Sequence, residues 1–361
     1  MIFDKNLNLW LPAYLRQVLR RRLVPRPRRV PVHLLFCFVD HYEPMWNGAD
    51  GATQSARVGA WVERYPRVTR DHRDADGIPP RHTFFYPAEE YLPEHLEALA
   101  HLGRLGLGEV EVHLHHDGDT AAGLRANLEQ FKAQLLTHGH LSRDPAGTVR
   151  YGFIHGNWAL DNSHPEGRWC GVNNEITVLR ATGCYADFTL PSSPGAPQTR
   201  TINSIYYATD DPERPNSHDR GVAVCVGGAM TGDLMIVQGP LALDWRRGKI
   251  ECGAIEYYSP PTPHRVRLWV EQGISVEGRP EWVVVKVHTH GTVEANLDLL
   301  LGPRFEELLT CLECDYNDGR TYRLHYVTAR ELYNIIKAAE AGCTGEPGDY
   351  RDYTLASNLK R

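Results

Sequence analysis

Three stretches of the chain concentrate side chains that can bind a metal or move a proton. They are Asp40-His41, the run Glu109-Val-Glu-Val-His-Leu-His-His-Asp117, and His288-Thr-His290. A catalytic metal needs several convergent nitrogen or oxygen donors and one position left open for water. The middle run can supply two or three of them. If a strand ends near His113 and a helical turn follows, His113 and Asp117 fall four apart and can meet on one ion. If the strand runs further, His113 and His115 share a face instead. His41 would bring a third ligand from the neighbouring strand. A lone buried histidine is ordinarily a hydrogen-bonded core residue, whereas four His and two Asp at the ends of adjacent strands point to a metal centre.

The elements that must position these residues follow from the hydrophobic pattern. From Val30 onward, short apolar runs at 30–40, 82–87, 109–115, 149–156, 184–191, 233–240 and 281–290 read as buried strands. Helices are expected at 91–105, 119–138, 171–182, 303–314 and 328–340. Such alternation predicts an α/β fold, either a (β/α) barrel or a doubly wound sheet. Polar residues gather at the carboxyl ends of the strands: Asp40-His41, Glu89-Glu90, His113 to Asp117, His155-Gly-Asn157-Trp158 and His288-Thr-His290. In parallel α/β barrels the strand-end loops converge on that rim and build the site there. Residues 191–250, rich in Pro, Ser, Asp and Asn, read as a long insertion with one hairpin. The tail 344–361 reads as mobile.

Composition bounds the function. The chain has 361 residues and a net charge of −6, with 18 His against 9 Phe, and 33 Arg against 6 Lys. Residues 1–30 carry +7, which leaves −13 on the remainder and argues against a nucleic-acid partner. No run of 18 or more apolar residues predicts a membrane span, and the basic residues follow the apolar Leu7–Leu15 stretch instead of preceding it as in a secretory leader. A cytoplasmic location with reduced thiols is expected. Cys311 and Cys314 form a single CxxC pair that reads as ordinary thiols. Residues 1–29 form a basic amphipathic segment. Within it, residues 7–24 are either an interfacial helix, with Trp10, Leu11, Leu15, Val18 and Leu19 in a lipid boundary and a peripheral contact with the inner membrane face over 7–29, or a helix packed on the domain.

The ordered motifs FVDH (38–41), HTFFYP (82–87), EVEVHLHHD (109–117), HGNW (155–158) and VVVKVHTH (283–290) resemble those of the polysaccharide deacetylases of NodB-homology type, a carbohydrate esterase-like group. The similarity covers roughly residues 30 to 340 outside the insertion. It implies a distorted (β/α) barrel over 30–343 and a metal-dependent hydrolase that deacetylates an N-acetylated sugar in a polysaccharide, glycoconjugate or lipid-linked saccharide. The family's aspartate pair becomes Asp40-His41 here, and its second motif histidine becomes Asp117. The implied ligands of a divalent ion such as zinc are therefore His41, His113 and Asp117, an Asp/His exchange that preserves the donor set. By the same resemblance Asp40 is the general base and His288 the acid, with His290 as its rival. His155 stands where the family has arginine. His155, Asn157, Trp158 and His290 would contact the carbohydrate. Trp169, Asn173, Asn174 and Glu175 are further candidates, for which packing or helix capping accounts equally well.

Three other readings compete. One is a barrel-type amidohydrolase or phosphoesterase, whose His-x-His pair usually comes from the first strand. Another is a metal-free glycosidase using Asp40 with Glu175 or Asp187. The last is a carbohydrate-binding protein whose catalytic site has degenerated.

Overall fold

The computed structural model describes residues 6–23 and 31–359, apart from the side chain of Arg22. The basic residues Lys5, Arg26, Arg28 and Arg29 lie outside the described residues. Strands run over β1 Val32–His41, β2 His82–Pro87, β3 Gly108–Leu114, β4 Ser142–Arg143, β5 Val149–His155, β6 Cys184–Asp187, β7 Ile205–Ala208, β8 Val222–Ala223, β9 Leu234–Val237, β10 Ala242–Asp244, β11 Lys249–Glu251, β12 Trp282–Thr289, β13 Tyr322–Val327 and β14 Ala356–Ser357. The helices are α1 Leu7–Leu23, α2 Gly51–Val68, α3 Pro93–Arg104, α4 Ala121–Thr137, α5 Glu175–Thr182, α6 Pro263–Gln272, α7 Glu294–Leu300, α8 Pro303–Tyr316 and α9 Ala329–Glu340. Local chemistry sets several helix starts: Asp50 and Thr120 accept hydrogen bonds from the third residue on, and Thr328 with Glu331 forms a capping box for α9.

A mostly parallel sheet in the order β12-β1-β2-β3-β5-β6-β9-β7-β8 organises the fold, with β13 paired to the first half of β1 and β2 to its end. Both faces of the sheet are covered, which is why its strands read as nearly continuous apolar runs. The alternation of side chains divides two cores. Leu34, Phe36 and Phe38 of β1 pack outward with Phe84, Val110, Phe153 and Val285 beneath the outer helices. Leu35, Cys37 and Val39 face inward, with Phe85, Ile154 and Val284, onto α9.

Several expectations change. Among the described residues no ladder joins the edge strands β12 and β8, so the sheet is not a continuously hydrogen-bonded barrel. Single bridges, Ile274 to Val284 and Cys225 to Glu277, span that side instead. Residues 191–250 are not an appendage: β9 pairs parallel with β6, and β7 and β8 extend the sheet antiparallel beyond it. β9 lies within the expected strand 233–240, whereas β7 and β8, of four and two residues, are too short to show a periodicity in the sequence. The tail is packed: Arg351 bonds Asp74 and Asp76 at 3.0 and 2.9 Å, Leu355 is buried, and β14 pairs with β4. Helix α1 lies on the domain, with Leu7, Trp10 and Tyr14 buried against Ile202 and Leu241. Trp10 and Leu19 therefore do not share one apolar face: the indole is wholly buried and Leu19 is 57% exposed. No described helix is long and apolar enough to cross a membrane.

Candidate metal centre

Three strands end in pairs spaced by two residues, and in extended chain such pairs share a face. These are His41-x-Glu43 after β1, His113-x-His115 after β3 and His288-x-His290 after β12. All three pairs continue the inward parity of Val39, Glu111 and Val284, and β2 and β3 lie beside β1 in parallel register on one side and β12 on the other. Their rings form one cluster. The His41 centroid is 5.0 Å from that of His113, 4.9 Å from His290 and 6.3 Å from His288, and His113 is 4.6 Å from His115.

The hydrogen bonds fix which ring nitrogens meet. His113 Nδ1 lies 2.9 Å from the carbonyl of Ile154 and must donate to it, so whenever Nε2 carries no proton its lone pair is turned toward Glu43 Oε1, 3.2 Å away. His115 commits Nδ1 to Glu89 Oε1 at 2.6 Å and brings Nε2 to 3.6 Å from the same Glu43 oxygen. His290 commits Nδ1 to Glu256 Oε1 at 2.8 Å. One donor atom each from His41, Glu43 and His290 lies within 4.8 Å of the others, as do those of Glu43, His113 and His115. Glu43 is common to both sets. His41 is 2% exposed, and neither of its ring nitrogens has a hydrogen-bond partner among the described residues.

Electrostatics separates donors from proton carriers. Burial, reinforced by the neighbouring imidazoles, holds the His41 pKa well below its usual value, so the ring is neutral with a free lone pair. Burial opposes ionisation of Glu43, but the bond to His113 and the nearby histidines outweigh it and lower its pKa. A lone pair and a carboxylate 3.2 Å apart repel unless a proton or a cation lies between them. Burial likewise opposes protonation of His115 and His290, and their carboxylate partners Glu89 and Glu256 overcome it and raise both. Burial, aided by the charges of Glu43 and Glu89, brings the Glu90 carboxyl up to about 7.

Not every residue singled out in the sequence reaches this site. Asp40 follows the outward parity: it is wholly buried, accepts from Gly291 N at 2.6 Å and pairs with His82 Nε2 at 2.8 Å, so the base role assigned to it does not fit. Asp117 is exposed and accepts from the Trp169 amide at 2.6 Å, because the chain leaves β3 after Leu114 without a helical turn. His288 points inward, but burial drops its pKa to about 3, which leaves no proton to donate near neutrality. His155 is turned outward with Phe153, away from His41. Trp158 covers the site, its ring 4.9 Å from His41, and half-buried Asn157 precedes it. Gly156 allows this loop to pass close to the site, since a Cβ there would stand 2.2 Å from His115 Cδ2. The sequence reading missed Glu43 and Glu256. The spacing His41-x-Glu43 matches that of the two His-x-His pairs and was the available signal; Glu256 comes from an irregular loop and has none. No family model matches the chain, and no curated protein is detectably similar to it in sequence.

Proposed function

We propose that the protein is a metal-dependent hydrolase that removes the acetyl group from an N-acetylated sugar in a polysaccharide, glycoconjugate or lipid-linked saccharide. One observation carries the reading. His113, His115 and His290 are each anchored through Nδ1 to a carbonyl or carboxylate, and donor atoms of all three, with His41, gather around Glu43. Such anchoring fixes the tautomer and orientation of metal-bound histidines. Imidazoles with one carboxylate suit zinc or a similar divalent ion. His41, Glu43 and His290, whose donor atoms lie within 4.8 Å of one another, would hold it and leave a fourth position for water.

When bound, the ion supplies Lewis acidity and acidifies water from a pKa of about 15.7 towards about 7. The remaining chemistry belongs to the chain. Glu90, whose carboxyl titrates at about 7, can take up a proton at its carboxylate. His115, 31% exposed in its side chain and held by Glu89, can pass one from Nε2 to a departing amine. Trp158 over His41 and Trp46 over His290, at 4.9 and 5.5 Å, keep bulk water from the imidazoles. Trp46, Tyr257 and Tyr258 are 37, 56 and 70% exposed beside the same loops and present flat faces suited to sugar rings. The motif order shared with NodB-type deacetylases supports the acetamide substrate and a distorted barrel as the finer description of the sheet.

The test is acetate release from N-acetylglucosamine oligomers by the zinc-loaded chain, with nitrophenyl phosphate esters as the rival substrate. Acetate release that a chelator stops and Glu43→Gln abolishes is the expected result. Full activity in Glu43→Gln, or cleavage of the phosphate esters alone, overturns the assignment.

A further inference from the structure

A second group of potential ligands lies on the outward side of β3 and β5, beside the first but sharing no residue with it. His116, His155, Cys170 and Glu175 each place one donor atom within 4.8 Å of all the others. His155, Cys170 and Glu175 have no exposed surface, and the His116 side chain is 5% exposed. We propose that these four residues form a closed, four-coordinate structural site for a zinc-like divalent cation.

Three features of the cluster go beyond mere proximity. The two imidazoles are prepared as ligands: His116 Nδ1 is committed to Asp119 Oδ2 at 3.2 Å and His155 Nδ1 to the carbonyl of Gly156. Each therefore turns Nε2 inward. His155 Nε2 is buried without a hydrogen-bond partner and stands 3.7 Å from Glu175 Oε2, too far for a bond between them. An orphaned lone pair at full burial calls for a ligand. The sulfur is prepared as well. Cys170 Sγ receives the amides of Asn162 and Val172 at 3.3 and 3.4 Å, donors that a metal-bound thiolate would keep, and its own proton faces Glu175 Oε2 at 3.4 Å, where a cation would take the proton's place between sulfur and carboxylate.

The spacing fits tetrahedral zinc. Bonds of about 2.0 to 2.3 Å imply ligand-to-ligand edges of roughly 3.3 to 3.8 Å. Here Glu175 Oε2 stands 3.7 Å from His155 Nε2 and 3.4 Å from Cys170 Sγ, both within that range, while His116 Nε2 meets the other carboxylate oxygen, Oε1, at 3.1 Å. Four protein donors leave no position for water, which marks the site as structural. Its task is visible in the chain it ties down. Residues 156–171 hold Asn157, Trp158, Asp161, Asn162 and Trp169 at φ between 52° and 69°, costly for side-chain-bearing residues unless the surroundings enforce it. Cys170 and His155 clamp the two ends of this loop, and Trp158 within it is the cover over His41.

Cobalt separates this site from the first, because only the second contains sulfur. The full chain loaded with Co2+ should show near-ultraviolet thiolate-to-cobalt charge-transfer absorption. Glu43→Gln and the double variant Cys311→Ser/Cys314→Ser should retain it, and Cys170→Ser should lose it together with one equivalent of zinc by elemental analysis. Asp119→Asn, which loosens His116 without touching a ligand, should keep the fold and weaken cobalt binding roughly 10- to 100-fold; it carries the test if Cys170→Ser does not fold. If the hydrolase reading fails while this one holds, one ion remains in Glu43→Gln and vanishes in Cys170→Ser. Absence of the charge-transfer band in the wild-type chain, its survival in Cys170→Ser, or unchanged affinity in Asp119→Asn overturns the proposal.

Discussion

Asp40 Oδ2 and His82 Nε2 lie 2.8 Å apart on the outward side of the sheet, and neither side chain has any exposed surface. The pair is part of the fold, with Gly291 N as a third member and Trp61 Nε1 bonded to the carbonyl of Gly291 at 2.9 Å. Removing one partner of such a pair leaves a buried polar group unmatched. Asp40→Ala is expected to cost about 3 to 5 kcal/mol of stability. Gly291→Ala should act through the same contact, since its Cβ would fall 2.0 Å from Asp40 Oδ2. Urea unfolding measures both. An Asp40→Ala chain of wild-type stability that has lost only its metal would show that Asp40 faces the site after all.

Glu43→Gln should separate metal binding from folding. The amide keeps the volume and removes the charge that gathers His41, His113, His115 and His290. Zinc affinity should fall by at least 10-fold, with the unfolding midpoint of the metal-free chain unchanged or raised. Calorimetric titration with Zn2+ reads the first quantity and urea the second. Retained affinity would remove Glu43 from the ligand set.

The C-terminal segment should prove indispensable. Arg351 neutralises Asp74, which is otherwise sealed from water, and the Leu355 carbonyl takes bonds from Arg330 and Asn334 at 2.7 and 2.8 Å. Arg351→Ala is expected to cost about 3 kcal/mol or more, and truncation after Cys343 to give insoluble or unfolded protein. A truncated chain with the wild-type melting temperature would restore the view of a dispensable tail.

Two buried groups tilt the pH dependence of stability in opposite senses. Burial lowers His140 to about 4, so the unfolded chain binds the proton first and stability contributed above pH 6.5 is lost as the pH falls towards 4. Burial raises Glu111 to about 8, so its protonated form stabilises the fold at low pH and that advantage is lost as the pH rises from about 4.5 to 8. His140→Gln should therefore be favoured relative to wild type at pH 5 compared with pH 7. Glu111→Gln, which can still meet Gly152 N and the Tyr185 hydroxyl, should gain on wild type between pH 5 and pH 9. Unfolding free energies at the three pH values give the comparison. Parallel curves for wild type and either variant would contradict that group's assignment.

The hydrophobic pattern alone located β1, β2, β3, β5, β6, β9 and β12 and the strand ends at which histidines gather, but neither the order in which the strands pair nor β13 beside β1. Runs such as VVVKV and HTFFYP can be little else than buried strands, and β2 spans the expected residues 82–87. His41 and His113 meet across the end of β2, because both stand at strand ends with the same inward parity, one strand apart in the sheet. The tertiary structure decided which neighbour of each ligand joined it. Asp40 and His41 differ by one residue and hence by one face of the sheet. A local spacing rule could not place Asp117 either, because its orientation depends on where the chain turns after Leu114. Glu256, Cys170 and Glu175 come from irregular segments with no period to read. The partners of Glu256 and Glu175, His290 and His116, stand 34 and 59 residues away in pairs that only folding brings within bonding distance.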